Sequence, residues 1–224
     1  MEWMMEIKTP VTIVDPIFSG YLETPEGEFR AEQTRAEIGR PEWWFAQDVA
    51  GNSFKPPQGD ETYLLVRLAF SLIPPKNHKI EEAQLSALLE CTAGSPQPVV
   101  FDVFPRNAVE ESKTDVKVSF EPSLKLSEVE ASVGSLEANI QIPKVEPVVT
   151  TAGIGGVNPT WFYGSHRRHP LVGTRMVYAI VGYPSAAEQM TIKLGLTASI
   201  RGRFGFWPLK VPSSAEAQLV RTIP

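Results

Sequence analysis

The densest set of residues able to do chemistry is the run WFYGSHRRHP, which holds Trp161, Tyr163, Ser165, His166, Arg167, Arg168 and His169. Two arginines between two histidines can clamp a phosphate or carboxylate, because a guanidinium gives two parallel hydrogen bonds to such a group. Neighbouring aromatics can stack on a planar ligand. The same composition also suits a protein interface, where Trp, Tyr and Arg are the usual anchors. A solvated turn closed by Pro170 is the plainest alternative. The candidate binding residues are therefore Trp161, Tyr163, His166, Arg167, Arg168 and His169.

Other sets are poorer. A zinc site needs three or more ligands, and the third histidine, His78, lies far off in a PPKNHK turn. Cys91 stands on the apolar row of an alternating segment with no basic neighbour, the setting of an inert buried thiol. Ser165 adjoins His166 in sequence, which is not the hydrogen-bonded geometry of a triad, and no G-x-S-x-G elbow occurs. The carboxylate pairs, such as Glu81 with Glu82 and Glu110 with Glu111, stand at expected loops and strand ends. Gly153–Gly156 (GIGG) lacks the G-K-[ST] and the helix of a phosphate loop and reads as a turn with positive φ. No catalytic residue, metal ligand or cofactor is assigned.

The elements that position these residues are read from periodicity. Leu64, Val66, Leu68, Phe70 and Leu72 form one apolar row, and Ala83, Leu85, Ala87, Leu89 and Cys91 form another. Val99, Phe101 and Val103 alternate, as do Val116, Val118 and Phe120, and Leu136, Ala138, Ile140 and Ile142. TRMVYAIVGYP is apolar on both faces and predicts a central strand. From Met190 to Ile200 every second residue is apolar. The 20 prolines sit mostly at the ends of these runs. The fold class is all-β, an antiparallel β-sandwich that is Ig-like only in the loose sense of two packed sheets.

Residues 1–40 form an N-terminal extension that can hold one short helix, capped by Thr24 with Pro25 next and Gly39 at its end, and 41–224 form the sandwich domain. Residues 143–160 carry no firm element, although VVT could be a short edge strand. RPEWWF is expected to anchor the N-terminal region on the sandwich, and RGRFGFWPLKV to end a strand and close the core.

Charge is uneven. Residues 1–159 carry 13 basic and 24 acidic side chains, a net of −11, and 160–224 carry 8 and 2, a net of +6. Either the two ends pair in the fold or the C-terminal third meets an anionic partner. Overall acidity makes nucleic acid an unlikely partner. There is no apolar run long enough for a spanning helix, no signal-like start and no strongly amphipathic basic helix. The lone cysteine fits a reducing compartment, so a cytoplasmic location is expected. The functional expectation is a non-enzymatic protein–protein interaction or adaptor module, binding another protein or itself. Its working surface would be the 143–170 loop and the basic C-terminal third. The rival is a small-molecule, anion or nucleotide site, with hydrolase chemistry an option, around His166–His169.

Overall fold

The structure is a computed structural model. It describes residues 15–24, 34–50, 61–92, 95–108, 119–120, 136–137, 148–165, 170–184, 189–202, 205–211, 215–216 and 219–223. The alternating segments form strands, and the strands form two antiparallel sheets that pack face to face.

The first sheet contains β1 (Pro16–Tyr21), β2 (Arg35–Gly39), β3 (Glu42–Phe45), β4 (Glu61–Ile73), β6 (Val99–Phe104) and β12 (Gly173–Pro184), in the order β1-β2-β4-β12-β6. Strand β3 also pairs with β4, at Arg67–Leu64, so one edge of β4 is shared end to end by β2 and β3. The second sheet contains β5 (Lys79–Cys91), β7 (Asn107–Ala108), β10 (Val148–Ala152), β11 (Thr160–Gly164), β13 (Met190–Gly202), β14 (Gly205–Lys210) and β15 (Val220–Ile223). Its order is β14-β13-β5-β11-β10-β7, with β15 beside β14 on the same edge of β13. A third, two-stranded ladder pairs β8 (Ser119–Phe120) with β9 (Leu136–Glu137). The one helix among the described residues is α1 (Ala46–Ala50), and no described helix is long and apolar enough to cross a membrane.

The core lies between the two large sheets. From β4 come Leu64, Val66, Leu68, Phe70 and Leu72, and from β5 Ile80, Ala83, Leu85, Ala87, Leu89 and Cys91. Strand β13 shows the two-residue period most cleanly: Met190, Ile192, Leu194, Leu196, Ala198 and Ile200 are buried, and Lys193, Thr197 and Arg201 are exposed. Phe70 and Tyr163 meet edge to face across the sandwich, with ring centroids 5.2 Å apart. Strand β12 lies between β4 and β6 and is buried on both faces over Val177–Ala179, as its continuous apolar run predicts.

The outer face of β4 is buried as well. Tyr63, Leu65, Arg67 and Ala69 are each at most 6% exposed, which alternation alone did not predict for a row containing an arginine. Arg67 tolerates burial because its Nε donates to a Glu42 carboxylate oxygen at 2.6 Å and its guanidinium lies 5.1 Å from the centre of the Trp44 ring. RPEWWF thus anchors its segment on the sandwich as expected.

The N-terminal helix is corrected in part. Arg35–Gly39 are strand β2, hydrogen-bonded to β1 and β4, with Ala36 and Ile38 in the core. The thin apolar face that suggested a helix is a two-residue alternation, and sheet pairing outweighs the modest helix preference of Glu and Ala. Residues 25–33 lie outside the described set. Both β1 and β2 belong to the first sheet, so the division drawn at residue 40 falls between hydrogen-bonded neighbours. Of the alternating run at 114–120, Ser119 and Phe120 are described, and of that at 136–142, Leu136 and Glu137.

Candidate functional site

The chain does one thing the rest of the sandwich does not explain. At Ala108 it leaves the second sheet, and at Val148 it returns to it. The two ends of this insert are hydrogen-bonded neighbours, because Asn107 pairs with Thr150 and Ala108 with Val149. Inside the insert, Ser119 pairs with Glu137 and Phe120 with Leu136, again antiparallel. From the first rung to the second, one arm advances twelve residues (Asn107 to Ser119) and the other thirteen (Glu137 to Thr150). The insert therefore has the pairing of a hairpin with a one-residue slip between its two registers.

Its root is held by a polar clamp. Strand β6 belongs to the first sheet and β7 to the second, so residues 105 and 106 carry the chain across the sandwich. Asp102, 6% exposed at its side chain, accepts from Arg106 Nε at 2.7 Å and Arg106 Nη2 at 2.9 Å. It also accepts from the Val103 backbone N–H at 2.8 Å. A carboxylate with three charge-assisted or backbone donors is satisfied despite burial. Thr151 Oγ1 donates to the Arg106 carbonyl at 2.7 Å, and Trp161 Nε1 donates to the Phe104 carbonyl at 3.2 Å. Strands β10 and β11 are thereby tied to the crossing segment just before the insert begins.

The insert departs at a definable end of the sandwich. Val148 pairs with Gly164, Gly164 with Glu82 and Glu82 with Ser199. One rung further, Lys79 pairs with Arg201. The turn after Ile73 leads into Lys79, which brings the end of β4, the start of β12 and the Tyr21–Arg35 rung of β1 and β2 to the same end.

The six residues chosen from sequence divide. Trp161 (0% exposed) and Tyr163 (3%) are in the core, on the inward row of β11, and are not surface anchors. His166, Arg167, Arg168 and His169 lie outside the described residues. The 143–160 stretch contains strand β10, with β7 and β11 on either side. The signal was available: Thr160–Tyr163 is β-branched and aromatic throughout. Its shortness between Pro159 and Gly164 hid it.

Gly153 and Gly155 have φ of 96° and 81°, as expected of GIGG. The turn they form caps the free edge of β6, since Gly155 N–H donates to the Val100 carbonyl and Val100 N–H to that of Gly156, both at 2.8 Å. Strand β14 closes the core with Leu209, while its Phe206 is half exposed. Part of the charge asymmetry is internal pairing: Lys193 bonds Glu90, and Arg201 lies 3.8 Å from Glu81. Among the described residues, no three His, Cys, Asp or Glu side chains gather as a metal site. Cys91 is buried, and burial pushes its thiol pKa up. A shallow hollow of about 460 Å³ on the outer face of the second sheet is lined by Glu82, Gln84, Thr150, Phe162, Thr197 and Ser199.

No protein-family model matches the chain, and no curated protein does. Among solved structures it is similar to one described as a pore forming protein, with a TM-score of 0.40 at 8% identity over 92% of this chain and 94% of that one. It is also similar to the Clostridium perfringens NetB toxin in the membrane inserted form, with a TM-score of 0.37 at 7% identity over 91% and 92%. A third is Clostridium perfringens delta-toxin, with a TM-score of 0.39 at 9% identity over 91% and 96%. The expectation of a cytoplasmic adaptor is corrected by these findings: the proteins it resembles are described as pore-forming proteins and toxins.

Proposed function

We propose that this chain forms membrane pores by inserting the segment between Ala108 and Val148 into a bilayer as a β-hairpin, in a ring built with copies of itself. The observation that carries the reading is the pairing of Phe120 with Leu136 inside an insert whose ends are themselves paired. Continuing that register outward sets Val118 opposite Ala138 and Val116 opposite Ile140. All six would then share one face. The other face would hold Asp115, Lys117, Ser119, Glu137, Asn139 and Gln141. In the same register Pro122 and Gly134 would face each other and close the regular part. Arms of about ten residues remain, the length a tilted strand needs to cross the hydrocarbon core.

Self-assembly follows from physical necessity. A lone hairpin in lipid would leave two rows of backbone N–H and C=O groups unsatisfied, so only a closed barrel is viable. One hairpin supplies two strands, and a barrel needs at least eight. Other copies of the chain are the simplest source. The apolar face would meet lipid and the polar face would line the channel.

The test uses single cysteines carrying an environment-sensitive dye at positions 114–121 and 135–142, in a Cys91→Ser background. On vesicles, dyes at even positions should shift to the blue and dyes at odd positions should not, with release of entrapped fluorophore. Absence of both the two-residue pattern and the release would refute the reading.

A further inference from the structure

Resting on the pore reading, we infer that the end of the sandwich from which the insert departs is a docking surface for an anionic lipid bilayer. Among the described residues, four of the eight exposed large apolar side chains gather at this end: Tyr21 (50%), Ile73 (46%), Val172 (42%) and Phe206 (50%). Their placement follows from register. Tyr21 pairs with Arg35 and Arg35 with Ile73, while Val172 precedes Gly173, the partner of Leu72. Phe206 pairs with Arg201, which pairs with Lys79. These residues belong to four different strands or their immediate ends, so their meeting is a property of the fold and not of one apolar run. Scattered exposed apolar side chains are ordinary, but a gathered group marks a contact surface.

The charges at this end select the partner. Arg35, Lys76, Lys79, Arg175 and Arg201 stand against Glu37, Glu81 and Glu82. Glu37 bonds Arg35 at 2.8 Å, and Glu81 lies 3.6 Å from Lys79 and 3.8 Å from Arg201. Among the described residues, no carboxylate pairs with Lys76 or Arg175. The Arg175 Nη1 donates to the Thr174 carbonyl at 3.0 Å, and its Nε is buried with no hydrogen-bond partner. Apolar side chains flanked by surplus cations fit a bilayer that offers hydrocarbon beneath negative headgroups. They do not fit a bare anion, which has no use for the apolar group. Docking here would bring the root of the insert to the membrane it enters.

The experiment is co-sedimentation of the full chain with vesicles of phosphatidylcholine alone or with phosphatidylserine added, with dye release read separately. The chain should pellet with the mixed vesicles, stay free with the neutral ones, and be released by high salt. Lys76→Gln with Arg201→Gln should weaken binding roughly 25-fold, about fivefold for each cation near a charged surface. Ile73→Ser with Val172→Ser should also weaken it, with the melting temperature unchanged because both side chains are exposed. Phe45→Ser with Ile154→Ser, exposed at the other end of the sandwich, should leave binding as it was. Equal binding to both vesicle types, loss with the control pair alone, or full competition by inorganic phosphate would overturn the inference. Binding with the expected preference but no dye release supports the docking surface and removes the pore reading. Dye release with no preference for lipid charge does the opposite.

Discussion

Strand β13 and the insert follow one pattern with two different outcomes. In β13 every second residue from Met190 to Ile200 is apolar and buried, because the first sheet covers that face. In the insert Val116, Val118 and Phe120, and then Leu136, Ala138, Ile140 and Ile142, alternate just as regularly. Two-residue alternation states that a face prefers an apolar surrounding. It does not state whether another sheet, another chain or lipid provides it. The sandwich satisfies its apolar rows internally; on the pore reading, lipid does so for the insert.

The largest expected effect separates the two regions directly. Trp161→Ala removes a fully buried indole and its hydrogen bond to the Phe104 carbonyl, so it should cost about 3–5 kcal/mol. At roughly 2–4 °C per kcal/mol, the melting temperature should fall by about 10 °C. Phe120→Arg should leave the melting temperature within about 1 °C, as surface changes do. It should nevertheless reduce dye release more than tenfold, since an arginine on the lipid face costs about 2–4 kcal/mol at mid-bilayer. Calorimetry and vesicle leakage on both variants decide the matter. If Phe120→Arg melts like Trp161→Ala, Phe120 is a core residue and the contrast fails.

How far the sequence could be read follows the same line. The inward faces of β4, β5 and β13 are legible because each strand runs for thirteen residues and holds its two-residue period over most of that length. Strands β10 and β11, five residues each, are too short for a period to establish itself, so composition alone suggests binding residues in Trp161 and Tyr163, which the fold buries. Buried Arg67 was illegible because its tolerance depends on Glu42 and Trp44, which are 25 and 23 positions away and become neighbours only through the β3–β4 pairing. Alternation in the insert was seen, yet was read as two more sandwich strands. A single chain does not reveal which alternating segments pair with the sandwich and which pair with each other. The pairing of Ala108 with Val149 is the fact that separates them.

A smaller effect sharpens the anchorage side of the comparison. A Cβ at Gly153 would lie 2.0 Å from the Asn158 carbonyl oxygen, at a φ of 96°. At Gly155 it would meet nothing within 4 Å, at a φ of 81°. Both substitutions incur left-handed strain of about 1 kcal/mol or more, and only the first adds a clash with backbone. Gly153→Ala should therefore destabilise by about 3 kcal/mol and Gly155→Ala by about 1 kcal/mol in urea titration. Equal losses would mean that the turn relaxes freely and does not fix the edge of β6.

The smallest effect concerns Cys91. Burial raises its pKa, so the thiolate needed for reaction is scarce in the folded chain. Against an aromatic disulfide reagent it should react on the order of a hundredfold more slowly than a cysteine placed at Ser119 in a Cys91→Ser background, and at the same rate once urea unfolds both. The sign of the stability effect follows from proton binding. Above about pH 8.5 the unfolded chain releases this proton while the folded chain keeps it, so stability declines as pH rises through that range. Cys91→Ala should abolish that part of the decline. Rapid labelling of native Cys91 would show that the last rungs of β5 and β13 open readily.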